Sequence, residues 1–217
     1  MATLSTPTID KVLAQVPDGQ SRDGNQALTS PTILLDVLEW AFHSSASEWL
    51  FLRELRVGTG HQTSFSQRLD AFALNSLPHT AMKRICYEVK TSRADFFCEM
   101  KQPLKRRIGL RYSNELYFVT PAGLLDCSEI PVECGLIEIG VRKSDQVNLA
   151  AITQAVQPLA YVDAVHGVYC IVSVPAPWRE TPGPTWQLVA AMLRNQRRSF
   201  YDRPPQQPKQ QRLIFDW

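Results

Sequence analysis

Three side chains in the middle of this sequence have the types and spacing for chemistry on a phosphate ester: Asp70, Glu88 and Lys90. Glu88 and Lys90 lie in the run Arg84-Ile85-Cys86-Tyr87-Glu88-Val89-Lys90, which has the pattern of a strand. Successive strand side chains point to opposite faces, so Cys86, Glu88 and Lys90 share one face and Ile85, Tyr87 and Val89 the other. A carboxylate and an ammonium are thereby held side by side above an apolar layer. Asp70 precedes Glu88 by eighteen positions, in a second strand-like run over 66–74. A turn at 75–80 containing Pro78 separates the two runs, so they read as a hairpin that brings Asp70 beside Glu88.

Two carboxylates and a lysine at one point suit a hard cation and a phosphodiester. Magnesium takes oxygen ligands and usually only one or two protein carboxylates, leaving water and substrate phosphate in its shell. Asp70 and Glu88 supply those carboxylates, and the backbone carbonyl of Val89 could add another oxygen. The metal lowers the pKa of a bound water and polarises the phosphoryl group. Lys90 orients or helps to deprotonate the attacking water and stabilises charge on the phosphate. A further acid from a preceding helix is expected; Glu54 is the choice and Glu48 the rival. The competing reading of Glu88-x-Lys90 alone is a solvated strand face of alternating charge.

The elements that must position these groups can be read in outline. Ser30-Pro31 opens a helix, with Ser as N-cap and Pro at the first helical position, followed by Leu34, Leu35, Leu38, Ala41 and Phe42 at helical spacing. Ser44–Ser47 interrupts it, and Glu48–Arg56 reads as helix again. The run 66–74 alternates as a strand, with Arg68, Asp70 and Phe72 on one side and Leu69, Ala71 and Ala73 on the other. Met82–Lys90 is the next strand, followed by helices at Arg93–Met100 and Pro103–Tyr112. Glu115–Thr120 and Gly135–Gly140 read as strands, Val147–Val156 as helix and Val168–Val174 as strand. Pro184–Arg198 reads as a helix with Trp186, Val189, Leu193 and Gln196 along one stripe. Residues 1–30 read as a mobile arm, with a short helix at Ile9–Val16. Residues 31–201 read as a single domain, with a core at about 48–140, and 202–217 as a Pro- and Gln-rich tail.

Composition bounds the rest. At 217 residues and 44% hydrophobic the chain can bury a core, and a net charge of +2 gives no bulk signal for nucleic acid. Five cysteines without a CxxC pair argue against a disulfide framework or zinc ribbon and for a reduced, cytoplasmic setting. No signal segment and no window of roughly 18 apolar residues is present, so no membrane partner is expected.

The residues Arg68-Leu69-Asp70-Ala71, Tyr87-Glu88-Val89-Lys90 and Ser92-Arg93-Ala94-Asp95-Phe96 resemble the PD-(D/E)XK nuclease superfamily. Within it the chain is most similar to MmcB-like DNA repair proteins and their phage and bacterial relatives. The likeness extends to Leu116-Tyr117-Phe118-Val119, Pro121-Ala122-Gly123-Leu124 and Gly135-Leu136-Ile137, and covers roughly 48–140. It implies an α/β fold with a PD-(D/E)XK (restriction-endonuclease-like) core, a mixed central β-sheet flanked by α-helices in the order αβββαβ. It implies catalytic Asp70, Glu88, Lys90 and Glu54, a Mg2+ or Mn2+ cofactor, and DNA as substrate in repair, recombination or phage DNA processing. The alternative is a nuclease-fold DNA-binding or regulatory module without turnover. Leu69 stands where the motif has proline.

Basic residues after the lysine strand, Arg93, Lys101, Lys105, Arg106, Arg107 and Arg111, form the expected DNA-binding face. Arg194, Arg197 and Arg198 form a second basic group. Asp95 is read as serving the cap of the helix after Lys90. His61, His79 and His166 are isolated and His43 sits in a Ser-rich break, and none is read as a ligand or catalytic base; Trp40, Trp49 and Trp186 read as core. Some related exonucleases hold an iron–sulfur cluster on four cysteines; Cys86, Cys98, Cys127, Cys134 and Cys170 are too scattered, and no such cluster is expected. The terminal Gln211-Arg212-Leu213-Ile214-Phe215 loosely resembles a sliding-clamp-binding peptide, which would recruit a replication or repair protein. A tail folded back on its own domain is the favoured reading.

Overall fold

A computed structural model of the chain describes residues 30–57, 67–141, 161–163 and 168–201. The expected arm, the helix at Ile9–Val16, the helix at Val147–Val156, His61, His166 and the tail from Asp202 lie outside the described residues.

Helix α1 (Pro31–His43) begins where expected, with Ser30 extended and Pro31 in the first turn. The Ser30 hydroxyl makes no cap bond, so it is the preset φ of Pro31 that favours the start. Leu34, Leu35, Val37 and Leu38 form its buried stripe. Strands β1 (Trp49–Val57), β2 (Gln67–Asn75) and β3 (Arg84–Val89) follow as an antiparallel meander. Helix α2 (Arg93–Met100), a 3-10 turn at Pro103–Arg106 and helix α3 (Arg107–Tyr112) carry the chain over to β4 (Glu115–Pro121), which pairs parallel to β3. Then come β5 (Gly135–Val141), β6 (Tyr161–Asp163), β7 (Val168–Val174) and helix α4 (Trp186–Tyr201). The seven strands of the described residues form one mixed sheet in the order β1-β2-β3-β4-β5-β7-β6.

Each face of the sheet carries a core. On one, Ala71, Ala73, Ile85, Tyr87, Val89 and Val119 pack with α1. On the other, Leu52, Leu55, Phe72, Cys86, Leu116 and Phe118 pack with Phe96 of α2 and with Leu188, Ala191 and Met192 of α4. Helix α3 lies so close that a Cβ on Gly109 would stand 2.9 Å from both Cys86 Sγ and a Leu116 methyl. No helix of the described residues is long and apolar enough to cross a membrane.

Three sequence readings change. The run 48–56 is not a helix but strand β1, paired with β2 from Trp49↔Asn75 to Val57↔Gln67. The misreading has a physical origin. Glu54 has φ +54° and the ladder skips its step opposite Asp70, so Leu52 and Leu55, three apart as in a helix, fall on the same face. Local helix preference of Leu, Glu and Arg was then overridden by pairing. The same irregularity breaks the alternation expected in β2: Leu69 and Phe72 share one core while Ala71 and Ala73 enter the other. In α4 the buried stripe is Leu188, Ala191 and Met192; Trp186 is 86% exposed and Leu193 62% exposed, so Trp186 is not core.

Candidate active site

The backbone pairing of β2 with β3 runs from Leu74↔Arg84 to Ala71↔Tyr87 and stops there. Beyond that point Asp70 takes the place of a ladder partner: the Val89 N–H donates to Asp70 Oδ2 at 2.9 Å. The break in alternation is what turns this carboxylate toward the end of β3. Glu88 is adjacent in sequence to that peptide, and Lys90 follows it. The structure therefore brings together the three residues chosen from the sequence. Val89 contributes its N–H to Asp70.

The two carboxyls are electrostatically strained. Glu88 is buried and makes no hydrogen bond to a described residue; burial first, then the charges of Asp70 and Glu99, push its pKa up to about 8. Burial also raises Asp70, opposed by the Val89 N–H and by Lys90 and Arg68. Lys90 is buried too, yet its pKa is raised: burial acts against the charge, and the hydrogen bond and charge of Glu99, with Glu88 and Asp95, outweigh it.

Glu99 is the residue that sequence reasoning missed. It sits on α2, buried, with Oε2 2.6 Å from Lys90 Nζ and with Oε1 buried and unpartnered among the described residues. Asp95, one turn earlier, lies 3.6 Å from the same ammonium. Its backbone N–H is capped by Ser92 Oγ at 3.2 Å, which fixes the start of α2. The signal was present: Asp95 and Glu99 are i and i+4 on a helix that begins directly after Lys90, and so face one way.

Neither of the two carboxylates expected on a preceding helix lies on a helix. Glu54 lies on β1, exposed, 3.1 Å from Arg68, which in turn approaches Asp70 at 3.9 Å. Glu48 lies in the turn before β1, where its carbonyl accepts from Ser76. The basic face divides in two. Arg93 is engaged by Glu129 and the Leu124 carbonyl, and Arg106 is buried against Met100 and 3.3 Å from Glu133. Neither is therefore a free surface cation. Lys101, Lys105, Arg107 and Arg111 are exposed and form no ion pair with a described residue; Arg111 lies over the Tyr112 ring at 5.6 Å. Arg194 is exposed on α4.

His43 ends α1 as a core residue, its Nε2 2.7 Å from Tyr87 Oη; burial first, and Lys83 second, lower its pKa to about 3. Cys86, Cys134 and Cys170 are buried, and Cys98 and Cys127 exposed.

Among the described residues no three His, Cys, Asp or Glu side chains form a ready ligand set. Magnesium does not require one, since it accepts one or two carboxylates and keeps its waters. Asp70 and a Glu88 carboxyl with no hydrogen bond to a described residue fit that demand: burial and the neighbouring carboxyls raise both pKa values, and a cation between them would favour the charged forms.

No family model matches the chain, and no curated protein matches it. A solved structure similar to it is a protein of unknown function from Silicibacter pomeroyi, with 15% identity and a TM-score of 0.45 over 76% of this chain and 84% of that one. At that identity and score it bears on neither activity nor substrate.

Proposed function

We propose that this protein is a Mg2+- or Mn2+-dependent deoxyribonuclease with a PD-(D/E)XK core, acting in the cytoplasm in DNA repair, recombination or phage DNA processing. The observation that carries the reading is the hydrogen bond from Val89 N–H to Asp70 Oδ2, which sets two carboxyls on either side of one peptide with Lys90 next in the chain. The order α1-β1-β2-β3-α2-β4 agrees with the αβββαβ arrangement that the resemblance implies.

Asp70 and Glu88 would hold the cation, which when bound supplies an acidified water and a Lewis acid for the phosphoryl oxygen. The chain's own contribution is positional. The Val89 N–H fixes the Asp70 carboxylate. Glu99 and Asp95 hold the Lys90 ammonium at the rim of the carboxyl pair, where it orients water or meets phosphate charge. Lys101, Lys105, Arg107 and Arg111 offer a salt-sensitive face for the DNA backbone.

A second reading, a nuclease-fold DNA-binding module without turnover, is favoured by the same Lys90–Glu99 pair, because it commits the ammonium within the protein. Incubation with linear, circular, single-stranded and forked DNA, with and without Mn2+, separates the two. Metal-dependent cleavage supports the nuclease; binding of DNA with no cleavage of any substrate in either metal supports the module.

A further inference from the structure

An apolar groove of about 360 Å3 lies between α4 and the β1–β3 end of the sheet, away from the carboxyl pair. Leu50, Phe72 and Leu74 form its floor and Leu188, Val189 and Met192 its wall. Met82 and Leu193, 44% and 62% exposed, stand at its rim. One cation lines it. Arg84 is buried, and among the described residues its Nη atoms reach only the Thr181 hydroxyl at 2.7 Å and the carbonyls of Thr181 and Pro182 at 3.4 and 3.5 Å. Its Nε is buried without a partner among the described residues, and burial lowers its pKa with only the more distant charge of Glu180 opposing. An apolar trough with an uncompensated arginine calls for an apolar occupant that carries a carboxylate.

The sequence contains one close by. After α4 the chain runs Asp202-Arg203-Pro204-Pro205-Gln206-Gln207-Pro208-Lys209-Gln210-Gln211-Arg212, then Leu213-Ile214-Phe215-Asp216-Trp217. Four large apolar residues and one acid are thus concentrated in a segment otherwise polar. Eleven residues lie between Tyr201 and Leu213, and the connection spans up to about 40 Å when extended. The return along α4 from Tyr201 to Met192 is nine residues, roughly 14 Å of helix. Reach is ample, because the helix that forms the wall leads directly into this segment.

We propose that the groove is the docking site of the chain's own Leu213–Trp217, with the apolar side chains seated over Phe72 and Met192 and the Asp216 carboxylate against Arg84. Docked, the cluster is withheld from any protein partner that would recognise the same residues. This inference is independent of the nuclease reading.

The test uses the full-length chain with the photoreactive residue p-benzoylphenylalanine at Phe215, and a control with the probe at Gln206. Irradiation followed by mass spectrometry should give an intrachain cross-link from position 215 to the groove, at Met82 or Met192. The exposed rim substitution Leu193→Glu should lower its yield about tenfold by placing a charge in the seat. The proposal is overturned if the cross-link joins two chains, falls outside the groove, does not exceed the Gln206 control, or is unchanged in Leu193→Glu.

Discussion

Lys90 Nζ stands 2.6 Å from Glu99 Oε2, and both side chains are buried, 8% and 7% exposed. A cation at the end of β3 is thus clamped by an anion on the next helix, with Asp95 as a second, exposed counter-charge. Breaking one side of such a pair leaves an uncompensated buried charge, which costs about 3–5 kcal/mol, whereas replacing both by apolar residues is often neutral. Glu99→Leu should therefore destabilise the protein strongly in urea denaturation, and Lys90→Met with Glu99→Leu should recover most of the loss. Additive losses would contradict the pairing. Cleavage should be absent from the double variant despite its recovered stability.

Stability without divalent metal should be highest on a plateau centred at about pH 5.5, for opposite reasons on the two faces of the sheet. Glu88 has its folded pKa raised from 4.5 to about 8, so its contribution is full at low pH and is lost as pH rises across that window. His43 has its folded pKa lowered from 6.5 to about 3, so its contribution is full above 6.5 and is lost as pH falls toward 3. Each slope is at most about 1.4 kcal/mol per pH unit. Thermal melts should show Glu88→Gln flattening the alkaline limb alone and His43→Phe flattening the acid limb alone. A wild-type melting temperature that climbs steadily from pH 5 to pH 8 would refute the assignment to Glu88.

A carboxyl protonated at neutral pH must give up its proton to a cation. Calorimetric titration of Mg2+ or Mn2+ at pH 7 in two buffers of different ionisation enthalpy should show release of close to one proton per ion. Glu88→Gln should abolish that release together with most of the affinity. Binding with no proton release would place the cation elsewhere.

Exposed and engaged cations should behave differently on DNA. Alanine at Lys101, Lys105, Arg107 or Arg111 should each weaken binding across sequences and reduce the slope of log affinity against log salt by about one. Arg93→Ala and Arg106→Ala should leave the slope unchanged, since Glu129 and Glu133 hold those side chains. Loss of slope in the second pair but not the first four would invert the interface.

The hairpin that carries Asp70, Glu88 and Lys90 was legible because β2 and β3 are joined by a short Pro78 turn and Ile85, Tyr87 and Val89 alternate cleanly with Cys86 and Glu88. Strand β1 was not legible. The positive φ at Glu54 puts Leu52 and Leu55 on one face, and no local signal distinguishes that from a helical stripe. Glu99 was overlooked because a helix carboxylate reads as a solvated charge until its burial beside Lys90 is known. In α4 the alternative stripe through Trp186 and Leu193 is as apolar as the buried one; only the docking of Leu188 and Met192 on the sheet decides between them.

The most direct test of the central claim is cleavage of linear and circular DNA by wild-type protein and by Asp70→Asn, in Mg2+, Mn2+ and EDTA, with melting curves to show that both are folded. The account predicts cleavage only with metal, reduced at least about a hundredfold in Asp70→Asn. Undiminished cleavage by folded Asp70→Asn, or a wild-type protein that binds DNA and cuts none of it in either metal, would contradict it.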